Sequence, residues 1–210
     1  MLALILAGGE GTRLGMGEKP LVTICGRPMV AYVIDAFTAA GLDVVVVATR
    51  RTPMTQNYLH AQGIEVFRAT GKGYVEDIVE AVTELGVTVP LFTSVADMPC
   101  LMPECVKEIR EAYFSQERPA LSTWIPRSLC QSAGSRTEYA ETVDGIMAVP
   151  IGVNILLGER IRDPQEEYRL LLHDPALGRN VNTKEELEAV RRVLCPKKIR
   201  MGTKPRGAQQ

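Results

Sequence analysis

The chain has 210 residues, 46% of them hydrophobic, with 24 basic against 25 acidic side chains and a formal net charge of −1. That length suits one well-buried α/β domain and is short for two, and the balanced charge sets up no basic field of the kind that draws nucleic acid. Five cysteines (Cys25, Cys100, Cys105, Cys130 and Cys195) with no C-x-x-C spacing argue against a disulfide framework and a zinc site, so a reducing cytoplasm is the expected setting.

The first apolar run, Leu2 to Ala7, has no basic segment before it and stops at glycines, so it reads as a buried strand rather than a signal peptide or membrane span. A glycine-rich turn, Gly8 to Gly15, and then Lys19-Pro20 follow. Val30, Val33, Ile34 and Phe37 recur at helical spacing up to Gly41. Asp43 to Ala48 is an almost unbroken apolar strand, as expected where both sheet faces are covered. A short helix around Pro53 to Gln62, a strand at 64–67, a helix presenting Val75, Ile78, Val79 and Val82, and a strand Val89 to Val95 come next. Pro103 opens a helix carrying Val106, Ile109 and Tyr113.

Beyond this point the pattern weakens. Ala120 to Ile125 reads as a strand, and the polar stretch Pro126 to Thr142 has no period, which fits either a lid or an insertion over the substrate. Ile146 to Leu157 reads as a strand pair, or as one strand bent around Pro150 and Gly152. Thr183 with Glu186 forms a capping box for a last helix burying Leu187, Val190 and Leu194. The domain is expected to span 1–195, with 196–210 a basic tail. Alternating strands and helices make the fold class α/β: a single domain with a mostly parallel mixed sheet and helices on both faces.

An apolar strand running into glycines beside two cations is the arrangement a nucleoside triphosphate needs, because successive backbone N–H groups can converge on phosphate oxygens. Leu6, Ala7, Gly8, Gly9, Gly11 and Thr12 are the candidate nucleotide-binding residues, with Arg13 and Lys19 as the adjacent cations. The turn is neither a P-loop nor a dinucleotide fingerprint: it lacks Gly-Lys-Ser/Thr, position 14 is Leu, and the second strand ends Ala48-Thr49-Arg50 without an acid. Asp97, just past the strand ending at Val95, lies where open α/β sheets bind ligands and is the candidate Mg²⁺ ligand. Arg13, Lys19 and Asp97 form the candidate catalytic set. With only His60 and His173 present, a histidine base is disfavoured, and none is required if the acceptor is a phosphate monoester, whose second pKa near ~6 leaves it largely dianionic at neutral pH.

Thr70-Gly71-Lys72-Gly73-Tyr74 leads into a helix and can approach a base or phosphate, which makes Gly71 a candidate on the nucleotide side. An ordinary flexible loop is almost as good a reading. Gly152 and Asn154 stand where a strand could approach a second substrate. For Asn182, beside Thr183, a local cap contact is at least as good a reading as a functional one.

The pattern A-G-G-x-G-T-R-L-G…K-P resembles the nucleotidyltransferases that activate sugars, molybdopterin and cobinamide. Together with T-G-K-G-Y-V-E-D (70–77), V-P-I-G-V-N (149–154) and N-V-N-T-K-E-E-L (180–187), it resembles the archaeal-type GTP:adenosylcobinamide-phosphate guanylyltransferases over nearly the whole chain. The resemblance implies a Rossmann-like nucleotidyltransferase domain, GTP and a corrinoid phosphate acceptor as partners, Mg²⁺ as cofactor, Gly71 near the guanine, and Gly8, Gly152 and Asn180 as site residues. Ala96-Asp97-Met98-Pro99 looks more like the molybdopterin guanylyltransferase version of this strand end, so transfer to molybdopterin is the runner-up. A nucleotide-sensing protein without turnover is the alternative from another class. A homodimer is compatible with all three.

Overall fold

The computed structural model describes residues 1–132 and 139–196. Ten strands and six helices alternate along these residues. In chain order they are β1 (Leu2–Leu6), β2 (Thr23–Ile24), β3 (Arg27–Pro28), α1 (Met29–Ala39), β4 (Asp43–Thr49), α2 (Pro53–Ala61), β5 (Glu65–Ala69), α3 (Tyr74–Glu84), β6 (Pro90–Val95) and α4 (Pro103–Phe114). The series continues with β7 (Ala120–Pro126), α5 (Arg127–Ser132), β8 (Glu141–Val143), β9 (Ile146–Leu157), β10 (Glu167–Leu171) and α6 (Lys184–Leu194).

The main sheet has the order β10-β7-β9-β6-β1-β4-β5, with β8 added alongside β9. All its pairings are parallel except those of β9, which runs antiparallel to β6, β7 and β8. Alternation along β1 explains the two cores: Ala3 and Ile5 face one layer with Val30, Val33 and Phe37 of α1 and Val106 and Ile109 of α4. Leu4 faces the other layer, with Ile78, Ala81 and Val82 of α3. Phe37 and Phe92 meet edge-to-face at 5.5 Å in the larger core.

Crossover handedness places the helices. From β1 the chain moves outward through α1 to β4 and through α2 to β5, then returns through α3 to β6 on the far side of β1. Right-handed connections in opposite directions put α3 on the face opposite α1 and α2. The reversal of strand order falls between β1 and β6, and that is where an open α/β sheet leaves a crevice at its carboxyl edge.

The segment expected to be a lid or insertion is partly regular: Arg127–Ser132 is helical and Glu141–Val143 pairs with β9, while 133–138 lies outside the described residues. Ile146–Leu157 is one bent strand rather than a pair, and its register against β7 shifts between Ser122 and Trp124. Gly152 sits in that shift with φ +80°, a conformation L side chains rarely adopt. The capping box of α6 forms as read, with Thr183 accepting from the Glu186 backbone and Glu186 reaching back to the Thr183 N–H. Of the expected basic tail, residues 197–210 lie outside the described residues.

One reading is overturned. Cys25 and Cys195 form a disulfide, whereas the cysteine spacing argued against disulfides. The two are 170 residues apart in sequence, and spacing arithmetic detects only local pairs and regular frameworks. The bond ties the end of α6 to the β2–β3 turn, over a small core of Leu14, Val22, Ile24, Met29, Leu187 and Val190. Among the described residues no helix is long and apolar enough to cross a membrane.

Candidate active site

A cavity of about 300 Å³ opens at the carboxyl edge of the sheet, between the turn after β1 and the end of β6. Leu6, Ala7, Gly8 and Gly9 form one side of it, Lys19 and Asp97 another, and Gly71 with Tyr74 a third. Of these eight, all but Tyr74 are candidate site residues from the sequence, and the fold brings those seven together. Gly11, Thr12, Arg13, Gly152, Asn154 and Asn180 do not line this cavity.

Each wall has a local cause. Ala7 N donates to Val47 O at 2.8 Å, which carries the sheet ladder one residue past β1 and delivers Gly8 to the edge. A Cβ on Gly8 would stand 2.7 Å from Cγ2 of Thr49, so Gly8 is needed for space rather than for an unusual φ. Gly11 does need its backbone conformation: with φ +67°, it packs against the Gly17 carbonyl and the Lys19 backbone, closing the turn on itself. Leu14, which breaks the dinucleotide fingerprint, is 1% exposed and anchors the turn in the α6 core. Arg13 is exposed on the turn.

Lys19 is positioned through its neighbour. The Glu18 carboxylate accepts from Met54 N at 2.8 Å and from Thr55 N and Thr55 Oγ1, both at 2.6 Å, and so caps the start of α2 from a distant part of the chain. With Glu18 held and Lys19 N donating to Gly9 O, the Lys19 ammonium reaches across the crevice. It pairs with Asp97 Oδ2 and donates to Asn182 Oδ1 at 2.7 Å. Asn182 is therefore part of the cluster, a role its sequence position beside Thr183 left even with a cap contact. Only the fold shows the contact, because 163 residues separate Asn182 from Lys19. Val181 N donates to the Asp97 carbonyl at 3.0 Å, pinning this segment to the strand end and placing Asn180 next to it.

The third wall is ordered by two acids of α3. Asp77 Oδ1 accepts from Gly71 N at 3.0 Å and Lys72 N at 3.2 Å, and Glu80 accepts from the Thr70 N–H and hydroxyl. These bonds hold Gly71 against Thr49, opposite Gly8. Burial raises the Tyr74 phenol above its ordinary pKa, a hydrogen bond with the Thr93 hydroxyl partly offsets this, and the nearby Asp97 charge raises it further.

Asp97 divides its two oxygens. Oδ2 is taken by Lys19, while Oδ1 is buried with no hydrogen-bond partner. An orphaned carboxylate oxygen at the mouth of a phosphate-sized crevice fits a hard cation that completes its shell with phosphate and water. Among the described residues no group of three or more His, Cys, Asp or Glu side chains gathers as a self-sufficient metal site. Thiolate chemistry is poorly served: burial pushes Cys100 up, and burial with a bond to Asp174 pushes Cys105 up to about 11.

Residues 3–146 match the family profile described as the MobA-like NTP transferase domain. The chain belongs to that family. Among curated members of wider similarity, the adenosylcobinamide-phosphate guanylyltransferase of Methanocaldococcus jannaschii is 27% identical over 208 residues, covering 92% of this chain and 97% of that protein. A probable molybdenum cofactor guanylyltransferase of Mycobacterium ulcerans is also 27% identical, over 199 residues covering 90% and 92% of the two chains. A hypothetical transferase from Thermus thermophilus shares the fold, with a TM-score of 0.70 at 20% identity over 89% of this chain and 98% of that one. This MobA-like chain is thus a nucleotidyltransferase by family, with its crevice at the topological switch point.

Proposed function

We propose that the protein transfers GMP from GTP to the phosphate of adenosylcobinamide phosphate, releasing pyrophosphate. The observation that carries nucleotidyl transfer is the crevice itself: a glycine turn facing Lys19 and Asp97 across the gap between β1 and β6. The acceptor rests on the similarity to the Methanocaldococcus jannaschii protein, which extends along nearly the full length of both chains.

The chain's own groups suffice for the steps that they must perform. Backbone N–H groups of Gly8 and Gly9 hold the phosphates, and Thr49 sets the depth of the turn. Lys19, fixed by Asp97 and Asn182, places positive charge where the leaving pyrophosphate gains negative charge, and exposed Arg13 is free to reach the same group. Asp97 Oδ1 is the atom that would hold Mg²⁺, whose contribution when bound is to neutralise phosphate charge. The acceptor phosphate oxygen forms a bond to the α-phosphorus as the bond from that phosphorus to the bridging oxygen breaks, and the electron pair leaves with pyrophosphate. No protein base is needed, because the acceptor is already ionised. As pH falls through about 6, the acceptor monoanion accumulates, so kcat/KM should fall on the acid side with that pKa. An acid limb centred well away from it would point to a protein group instead.

The direct test supplies GTP and Mg²⁺ with adenosylcobinamide phosphate or molybdopterin in separate reactions and follows pyrophosphate. Release with the corrinoid alone supports the proposal. Release with molybdopterin alone transfers the assignment to the activity named for the mycobacterial relative, and release with neither removes catalysis with these acceptors.

A further inference from the structure

Helix α6 is seated apart from the main sheet: Leu187 and Val190 bury against Leu14, Val22, Ile24 and Met29, and no residue of a main-sheet strand belongs to that small core. Its end is held to the β2–β3 turn by Arg191 Nη2, which donates to Thr23 O at 2.9 Å, and by the Cys25–Cys195 bond. Cys25 is exposed and Cys195 half-buried, so the bond lies open to an attacking thiolate, whereas Cys100, Cys105 and Cys130 are buried. Cys25 also stands in an unusual place. Ile24 pairs with Arg27, so Cys25 and Gly26 make a two-residue hairpin turn with φ +50° and +81°, where Asn, Asp or Gly is the ordinary first residue. Cysteine suits that backbone poorly; what it adds is a sulfur facing the end of α6. Both ends of the bond lead to Lys19. On the hairpin side, Val22 N donates to Lys19 O at 3.2 Å, and Met29, which lines the nucleotide cavity, donates its N–H to Val22 O at 2.9 Å. On the helix side, buried Glu186 accepts from Asn182 N at 2.6 Å, and Asn182 Oδ1 accepts from the Lys19 ammonium at 2.7 Å.

We propose that the Cys25–Cys195 bond is a reversible redox switch on the nucleotide site, set by oxidation and released by a dithiol. When formed, the bond holds α6 on the hairpin and keeps Asn182 on Lys19. Release is thiol–disulfide exchange: a thiolate of the dithiol bonds to Sγ of Cys25, the more exposed sulfur, as the Cys25–Cys195 bond breaks and its electron pair leaves on Cys195 Sγ. The second thiol of the dithiol, losing its proton, then attacks the dithiol sulfur bonded to Cys25 and frees it, so two electrons and two protons pass to the protein and the dithiol departs as a disulfide. With the tether gone, α6 opens locally, because its core lies outside the main sheet, and the population with Asn182 on Lys19 falls. Lys19 then keeps Asp97 but loses its second anchor. The effect on turnover rests on nucleotidyl transfer; the opening of α6 does not.

The test holds the full chain, well below its melting temperature, in buffers of reduced and oxidised dithiothreitol and counts the bond by thiol alkylation and mass spectrometry. Two quantities are read: pyrophosphate release from GTP, Mg²⁺ and adenosylcobinamide phosphate, and backbone amide exchange. The oxidised chain should carry the bond, and turnover should fall by about tenfold on reduction and return on reoxidation. Exchange should quicken by about tenfold along α6 and at Val181 and Asn182, whose N–H groups bond Asp97 O and Glu186, while β1 and β4 stay protected. Cys25→Ser should turn over at the reduced level in both buffers, and Asn182→Ala should be slow in both with no further loss on reduction. The inference is overturned by any of four results: no bond in the oxidised chain, turnover of the reduced chain within about twofold of the oxidised one, a further tenfold loss in Asn182→Ala on reduction, or exchange that quickens equally in β1 and β4. A parent that releases no pyrophosphate with either acceptor fails the transfer reading instead, and exchange then decides the switch by itself.

Discussion

Gly8 and Thr49 share one small space, and that makes the nucleotide turn testable atom by atom. In Gly8→Ala the new methyl would meet Thr49 Cγ2 at 2.7 Å, so the turn or the end of β4 has to shift. GTP affinity should fall by about tenfold or more, since the donors that hold phosphate move with the turn. Adding Thr49→Ser removes the obstructing methyl and should recover most of the affinity. An additive double variant would show that Gly8 matters for another reason. At Asp97, changing the carboxylate to Asn keeps the shape but removes the charge on both the Lys19 side and the orphaned oxygen. Turnover should drop by about 10²- to 10³-fold while GTP affinity changes much less, and unchanged turnover in saturating Mg²⁺ would remove Asp97 from the chemistry. Residue-level reading found Gly8, Lys19 and Asp97 because each sits in a local pattern. It missed the Lys19 contact of Asn182 and the long-range cap by Glu18, because their partners come from distant parts of the chain.

Elements were legible where a period or a cap exists. Helix α1, the apolar β4 and the capping box of α6 follow from spacing, since each buries a regular face or satisfies its own ends. The stretch after β7 was opaque because α5 is only six residues and β8 three, too short to display a period. Helix α6 matters to the site although it contributes no wall to the cavity: its core holds Leu14 of the turn, and the segment before it supplies Asn182. Thr183→Ala should cost about 1 kcal/mol by removing the N-cap, which corresponds to a Tm loss of about 2–4 °C in a chain of this size. Rescue by Ser at 183, but not by Val, would identify the hydroxyl as the cause. Reducing the Cys25–Cys195 bond should lower stability by about 2–4 kcal/mol, measured as a shift in denaturant midpoint with and without a dithiol reductant. A midpoint unmoved by reductant would contradict that role for the bond.

At the scale of the molecule, function follows from where the strand order reverses. Helical crossovers send the chain outward from β1 and bring it back to β6, leaving the glycine turn and Asp97 on opposite lips of one gap. The alternating pattern of the sequence foretold a mostly parallel mixed sheet, and a bend around Gly152 as one of two readings, but not that β9 is the strand that runs antiparallel. The direct measurement is a crystal structure of the chain with Mg²⁺ and a non-hydrolysable GTP analogue. The account predicts triphosphate density against Gly8 and Gly9, with Lys19 and Asp97 within reach of the phosphates. A triphosphate seated elsewhere, with that turn unchanged and its N–H groups facing solvent, would contradict it.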